Sequence, residues 1–427
     1  MFLTLYNIFS VLLLPAVLFY HLYRSYSRGR SPALAQRFGL LPSATAAKIA
    51  GRPVIWLHAV SVGEAIAARP LLRAVRETYA GHALLVSVTT ETGHAVVSKF
   101  SEPDLCIYFP FDFLPAVRAS LGSVNPRLII IMETEIWPNF THEAARRNIP
   151  LLLVNGRISD RSFKRYQTFD WFFKESLTRF SALCMQTETD SERIIDIGAP
   201  KERTLTCGNL KYDIPWSQVT QEERNGLRRQ YGIPEKRLVV VAASTHPGEE
   251  ELLLPIWRQL AQQRNDLQLV LVPRHPERAA DVAALLEKHG LACRRRTSLT
   301  SNAVLAPGQV LLVDTVGEMM QLYALCDLTF VGGSMVPTGG HNLLEPASRG
   351  ISMVFGPHMA NFREIAAITL QYGAGVQVSG TEELATALRD FIKSPELRQV
   401  IGTNGLKMLR DNGGATGRIM EQLAQHL

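Results

Sequence analysis

An α/β protein with two doubly wound domains is the fold class that the sequence predicts. Three observations carry it. Short β-branched apolar runs alternate with longer amphipathic stretches from about residue 52 onward. These runs fall into two series, separated by the polar stretch DIPWSQVTQEERNGLRRQYGIPEK (213–236), which lacks a strand-like run. Finally, 427 residues are too many for one ordinary core and fit two domains of about 200 residues each.

The chain begins with MFLTLYNIFSVLLLPAVLFYHLY, whose 23 residues carry no charged side chain. That length matches the roughly 20 helical residues that cross a bilayer core. Arg24, Arg28, Arg30 and Arg37 follow at once, a positive-inside bias that places the body of the protein on the cytoplasmic face. A cleaved signal peptide is the rival reading, with Ala33-Leu34-Ala35 imitating its cleavage site. Its positive charges would precede the apolar stretch, whereas here they come after it. Residues 1–30 are therefore read as a single membrane anchor, with Pro15 leaving both a kinked span and a shallow monotopic insertion open.

In the first domain, 31–215, the runs RPVIWLHAV, HALLVSVTT, RLIIIMETE and IPLLLVNGR read as strands, and EAIAARPLLRAVRETY reads as a helix between the first two. Near-continuous apolar strands between helices point to parallel sheets covered on both faces. Residues 216–236 form the expected linker. The second domain, 237–427, brings RLVVVAAST, LQLVLVPRH, QVLLVDTVG, LTFVGGS and SMVFGPH, then a helical C-terminal stretch able to pack back across the interface.

Composition narrows the function classes. Lys and Arg (45) exceed Asp and Glu (39) by 6, a surplus suited to anionic membranes or phosphorylated substrates. No nucleic-acid-binding signature is present, so nucleic acid is not an expected partner. Five scattered cysteines, Cys106, Cys184, Cys207, Cys293 and Cys326, include no CxxC pair. Neither a disulfide framework nor a zinc site is implied, and a reducing cytoplasm is the simplest home.

In open α/β sheets, ligands bind beyond the carboxyl ends of the strands. Three turns there share a pattern: Ser61-Val62-Gly63-Glu64, Thr315-Val316-Gly317-Glu318 and Asn342-Leu343-Leu344-Glu345. An acceptor followed three residues later by Glu is a capping box or its near relative, and capping alone explains all three. FVGGSMVPTGGHNLLEP (330–346) adds two Gly pairs ahead of a helix start. Free backbone N–H groups in such a loop attract an anion, which points to a phosphate-bearing ligand. Glu345 can then accept hydrogen bonds from a ribose diol, and Arg274 in VPRHPER can bond the phosphate; a solvated arginine is the bland alternative. The loop is neither GxGxxG nor a P-loop, so the dinucleotide and ATP readings lack their marks. IIIMETEIWPN (129–139) puts Glu133 and Glu135 on one side of a strand end. Without a nearby His or Asp cluster or a DxD, that pair is no metal site in this reading, and none is expected. Lys211 in GNLKYD stands near the linker.

The blocks HAVSVGE, METEIWPN, NGRISDRSF, GNLKYD, STHPGEEE, VPRHPER, DTVGEM and FVGGSMVPTGGHNLLEP resemble, in order, those of the 3-deoxy-D-manno-octulosonic acid (Kdo) transferases of lipopolysaccharide inner-core synthesis. The resemblance covers the anchor and both domains. It implies a GT-B glycosyltransferase, with two Rossmann-like domains facing across a cleft behind an N-terminal membrane-anchor helix. It also implies inverting transfer of Kdo from CMP-Kdo to the lipid A precursor, lipid IVA, at the cytoplasmic face of the cell inner membrane. Expected partners are therefore CMP-Kdo, that lipid acceptor and inner-membrane lipids, with no cofactor and no metal.

By the same resemblance Glu64 is the general base, and Glu133 and Lys211 stabilise the transition state. The CMP site falls on Pro273 and Arg274, on Val316, Gly317 and Glu318, and on Asn342, Leu343, Leu344 and Glu345. The alternative is a GT-B transferase using a UDP-sugar on a membrane lipid acceptor.

Overall fold

The computed structural model describes every residue except Met1, Arg28, Arg30, Phe169, Ser301 and Asn302. Two of the four juxtamembrane arginines, Arg28 and Arg30, thus lie outside the described residues. The chain divides into two compact units, 1–213 with 413–427 and 214–412.

In the first unit, seven parallel strands form one sheet in the order β3-β2-β1-β4-β5-β6-β7. They are β1 Val54–Ala59, β2 Ala83–Val88, β3 Leu105–Tyr108, β4 Pro126–Met132, β5 Leu151–Gly156, β6 Ala182–Met185 and β7 Thr204–Thr206. Side chains alternate between the faces of a strand, and β1 shows where they go. Val54 and Trp56 enter one apolar core, while Ile55, Leu57 and Ala59 enter the core on the opposite face. Both faces are covered, which is why the strands read as unbroken apolar runs.

The second unit repeats the plan with the order β10-β11-β9-β8-β12-β13-β14. Its strands are β8 Leu238–Thr245, β9 Leu267–Pro273, β10 Cys293–Arg295, β11 Val310–Leu312, β12 Leu328–Val331, β13 Ser352–Phe355 and β14 Val376–Gln377. Val240 and Ala242 of β8 face one core and Val239 and Val241 the other.

The boundaries depart from the sequence expectation in two places. The C-terminal helix Ala415–Ala424 belongs to the first unit, not the second. Its Ala415, Ile419 and Leu423, spaced by four, join the apolar core around Ile55 and Leu57, and Asp213 accepts the Gly414 N–H at 2.6 Å. Nor is 216–236 a bare linker, because helix Gln221–Gln230 packs within the second unit. Buried Arg228 reaches the Leu325 carbonyl at 3.0 Å and Asp327 at 2.7 Å. Helix 64–79 is also two pieces, Val62–Ala67 and Arg69–Thr78, with Pro70 in the first turn of the second, where a missing N–H costs nothing.

Candidate functional site

The order of the first sheet reverses between β1 and β4, and a crevice opens at such a switch point beyond the strand ends. Glu64 and Glu133 follow these two adjacent strands. After β1 the chain turns at Ser61, whose Oγ accepts the Glu64 N–H at 3.3 Å and caps helix Val62–Ala67. The Glu64 side chain folds back over the turn. Its Oε2 accepts the Val60 N–H at 2.8 Å and its Oε1 the Ser61 hydroxyl at 2.8 Å. The carboxylate thus closes a variant of the capping box one residue upstream of the usual partner, and each oxygen keeps a further lone-pair site for a ligand.

Past β4, Glu133 donates its N–H to Val154 O at 2.8 Å and adopts φ 55°. A non-glycine residue in the left-handed region costs about 1–2 kcal/mol, a strain typical of functional turns. Glu135, two residues on, has its carboxyl pushed up to about 7 by burial first, then by the charges of Glu64 and Glu133. Three carboxylates therefore share one electrostatic site. The sequence shows the Glu133/Glu135 pair but not its convergence with Glu64, which the β1–β4 adjacency creates.

Lys211 is brought toward the same end of the sheet from the edge strand β7. The Leu210 N–H donates to Asn155 Oδ1 at 2.9 Å, and Asn209 Nδ2 donates to Gln186 Oε1 at 2.9 Å. Asn155 and Gln186 stand at the ends of β5 and β6, so the Leu210–Tyr212 turn is tied back across them. No ion-pair partner of the Lys211 ammonium is found among the described residues.

In the second unit the residues expected to bind CMP lie at or beyond carboxyl ends of strands: Pro273 and Arg274 at the end of β9, Val316–Glu318 after β11, and Asn342–Glu345 after β12. Arg274 is exposed, and its charge acts on Glu345, His246 and His341. Burial raises the Glu345 carboxyl, opposed by a hydrogen bond from Asn342 and by Arg274.

The two other turns differ from the Ser61 cap. Thr315 bonds the Glu318 side chain and caps no backbone N–H. Glu318 also accepts from Tyr231 OH at 2.5 Å and Arg296 Nε at 2.9 Å. Burial acts upward on its carboxyl, and these three bonds together hold it below the usual range. The Glu318 side chain is thus spent on internal bonds, while Val316 beside it is 84% exposed. Asn342 Oδ1 accepts the Leu344 N–H at 3.1 Å, an Asx turn two residues long.

The glycine-rich loop also departs from expectation. Its first N–H groups do not wait for an anion, because Glu249 occupies them: Gly333 at 2.7 Å, Ser334 at 3.0 Å and Met335 at 2.9 Å. The second Gly pair is required by packing, since a Cβ on Gly339 would lie 2.3 Å from Asn361 Nδ2. A pocket of about 630 Å³ behind this loop, lined by Thr338, Met359, Asn361 and Arg363 among others, includes none of the expected site residues.

Sequence reasoning missed a histidine pair. His246 Nε2 and His341 Nε2 lie 3.0 Å apart, one at the end of β8 and one in the glycine-rich loop. Burial, then the charges of His246, Arg274 and His275, hold His341 down at about 4. The signal available was the position of His246 directly after β8 and of His341 in the loop that follows β12, the two adjacent strands at which the sheet order reverses.

Comparison with known proteins adds the family. A profile described as 3-deoxy-D-manno-octulosonic-acid transferase (kdotransferase) matches residues 32–214. The chain is 35% identical over 396 residues to a 3-deoxy-D-manno-octulosonic acid transferase of Haemophilus influenzae, covering 92% of this chain and 91% of that one. A transferase of the same description from Rickettsia felis is 33% identical, over 88% of this chain and 80% of its own. Among solved structures, the UDP-GlcNAc 2-epimerase of Neisseria meningitidis bound to UDP-GlcNAc shares the fold at 13% identity, with a TM-score of 0.58 over 87% of this chain and all of that one. Its two-unit α/β architecture is that of GT-B proteins. With two relatives at 35% and 33% identity matched over most of both chains, the chain belongs to the 3-deoxy-D-manno-octulosonic acid transferase family.

Proposed function

We propose that this Kdo transferase moves Kdo from CMP-Kdo onto the lipid A precursor lipid IVA, with inversion at the anomeric carbon. The acceptor hydroxyl attacks that carbon and gives its proton to Glu64. The new C–O bond forms as the bond to the CMP phosphate breaks, and the electron pair departs with CMP. Glu133 and Lys211 stabilise the transition state, with Lys211 suited to the charge on departing CMP or to the Kdo carboxylate. Pro273, Arg274, Val316, Gly317, Glu318 and Asn342–Glu345 hold the nucleotide.

The observation that carries this reading is the shared site of Glu64, Glu133 and Glu135 at the β1–β4 switch point, where burial and then the charges of Glu64 and Glu133 push the Glu135 carboxyl up to about 7. A carboxyl raised by burial beside two further carboxylates is a pattern found at sites of acid–base chemistry. Among the described residues, no group of three or more His, Cys, Asp or Glu side chains is arranged to hold a metal ion. A monoester leaving group needs less charge neutralised than a diphosphate, and Arg274 with Lys211 suffices. Helix Leu3–Ser27 is long and apolar enough to enter a membrane. It fixes the enzyme to the cytoplasmic side of the inner membrane, beside its lipid acceptor.

Purified protein, lipid IVA and CMP-Kdo generated in situ, followed by mass spectrometry, test the reading. Added Kdo mass supports it. No added mass, or transfer from UDP-sugars instead, overturns it.

A further inference from the structure

The N-terminal helix, Phe2–Ser27, rests against the first unit from Tyr6 to Ser25. Asn7, Ser10, Leu14, Leu18, His21 and Ser25 form one stripe of half-buried to buried residues, spaced by three or four, as one face of a helix requires. Asn7, Ser10 and Ser25 place polar side chains on that stripe. At one end, Tyr6 OH donates to Asp112 Oδ2 at 2.8 Å, and Asn139 Nδ2 donates to Asn7 Oδ1 at 2.9 Å. Asn139 is fully buried, and Asp112 caps its helix through the N–H groups of Asn139 and Phe140, at 3.0 and 2.8 Å. At the other end, the His21 ring stands edge-on to Phe111 at 5.1 Å.

Away from the stripe the helix is apolar and open, with Phe9 61%, Leu12 69% and Phe19 73% exposed. Tyr6 also packs edge-on to Phe172. Phe172 belongs to helix Asp170–Leu177, which carries the exposed Trp171. The neighbouring helix Asp160–Thr168 exposes Arg161, Lys164 and Arg165. An apolar helix face beside an aromatic and a basic cluster matches the chemistry of an anionic bilayer surface.

From Asn7 to Ser25 the stripe runs about 27 Å at 1.5 Å per residue, against a hydrocarbon core of about 30 Å. Were the helix to cross the bilayer in this arrangement, Asp112, Asn139 and the body around them would be immersed in hydrocarbon. Were it to detach and cross alone, Asn139 would lose Asn7, and Asp112 would lose Tyr6, at buried positions. Both alternatives cost unpaired polar groups.

We infer that this helix lies in the plane of an anionic membrane surface, clamped to the first unit through Tyr6–Asp112 and Asn7–Asn139, and does not cross the bilayer. The inference rests on the membrane-anchor reading above.

The test uses the full chain with Cys106→Ser and Cys293→Ser, carrying a single nitroxide at Leu5, Phe9, Leu12, Ala16, Phe19 or Tyr23. The chain is bound to vesicles of phosphatidylethanolamine and phosphatidylglycerol. In-plane seating gives all six labels one shallow depth, roughly 5–10 Å below the phosphates. A depth maximum at Leu12 and Ala16, with Leu5 returning to the far leaflet, overturns the inference while leaving the anchor. Failure to float with vesicles overturns both. Replacing phosphatidylglycerol by phosphatidylcholine lowers the bound fraction at least tenfold, and unchanged binding refutes the anionic part. As a second readout, an impermeant maleimide labels a cysteine at Leu3 from the side of the catalytic body alone; labelling from the opposite side refutes in-plane seating.

Discussion

Glu249 accepts the Gly333 N–H at 2.7 Å and, on the same oxygen, the His246 N–H at 2.9 Å, joining the ends of the two central strands of the second sheet. Ser334 and Met335 donate to its other oxygen, and the side chain is buried. This carboxylate is the internal anion of the glycine-rich loop. Glu249→Gln places an NH₂ against at least two N–H donors, so the unit should lose about 2–4 kcal/mol in urea unfolding. Its affinity for CMP should fall as the loop loosens. Tighter CMP binding by the variant would mean that these N–H groups are the phosphate site after all.

At the first sheet, cap and base are separable. Ser61→Ala removes the acceptor of the Glu64 N–H and should cost about 1 kcal/mol of stability. Glu64→Gln keeps an oxygen for the Val60 N–H yet cannot take a proton, so its melting temperature should barely move while kcat falls by about 10² to 10⁴. A kcat within threefold of the parent's would leave Glu64 as a cap alone.

The sequence carried the central strands well, because a strand buried on both faces must be an apolar run. Ile129, Ile130 and Ile131 go alternately to opposite cores, so no polar position interrupts them. It carried the edges poorly. Thr204–Thr206, Cys293–Arg295 and Val376–Gln377 have two or three residues each, too short for a period to show. Assignment of the C-terminal helix failed for a different reason: Ala415, Ile419 and Leu423 show a helical face but not which core receives it. Candidate site residues could be picked out where a strand end is followed by polar residues, as at Glu64 and Arg274. Convergence of His246 with His341, or of Glu135 with Glu64, depends on strand order, which local sequence does not encode.

Glu135 gives a pH dependence with a definite sign. Its folded carboxyl lies near 7, above the ordinary 4.5, so the folded state holds a proton that the unfolded chain has released. The stability this supplies is complete below about pH 4.5 and is lost as pH rises through 7. Glu135→Gln is neutral at every pH and should flatten the fall in urea midpoint between pH 5 and 8. An unchanged slope would show that the proton resides elsewhere in the cluster.

Turnover should proceed at the full rate in a chelator if, as proposed, Arg274 and Lys211 meet the charge on the departing CMP. Loss of activity in the chelator, restored by magnesium, would refute this. Lys211→Met should then lower kcat at least tenfold with only a small change in melting temperature.

Two arginines in the single block VPRHPER should behave oppositely. Arg278 donates to the buried Glu250 at 2.9 Å, whose other contact of note is the Thr245 hydroxyl at 2.8 Å. Removing Arg278 leaves a buried carboxylate short of its counter-charge, so Arg278→Ala should cost about 3–5 kcal/mol of stability. Arg274 is exposed, with no ion-pair partner among the described residues, and its charge falls on Glu345 and the histidine pair. Arg274→Ala should leave the melting temperature unchanged. It should raise KM for the CMP-linked donor by about 10- to 100-fold, the worth of one charge-assisted hydrogen bond to phosphate. Arg274→Lys should recover only part of that loss, because an ammonium keeps the charge but not the planar fork. Should Arg274→Ala instead unfold the protein with KM unaltered, the guanidinium is a structural group and the phosphate contact must be sought at Val316–Glu318.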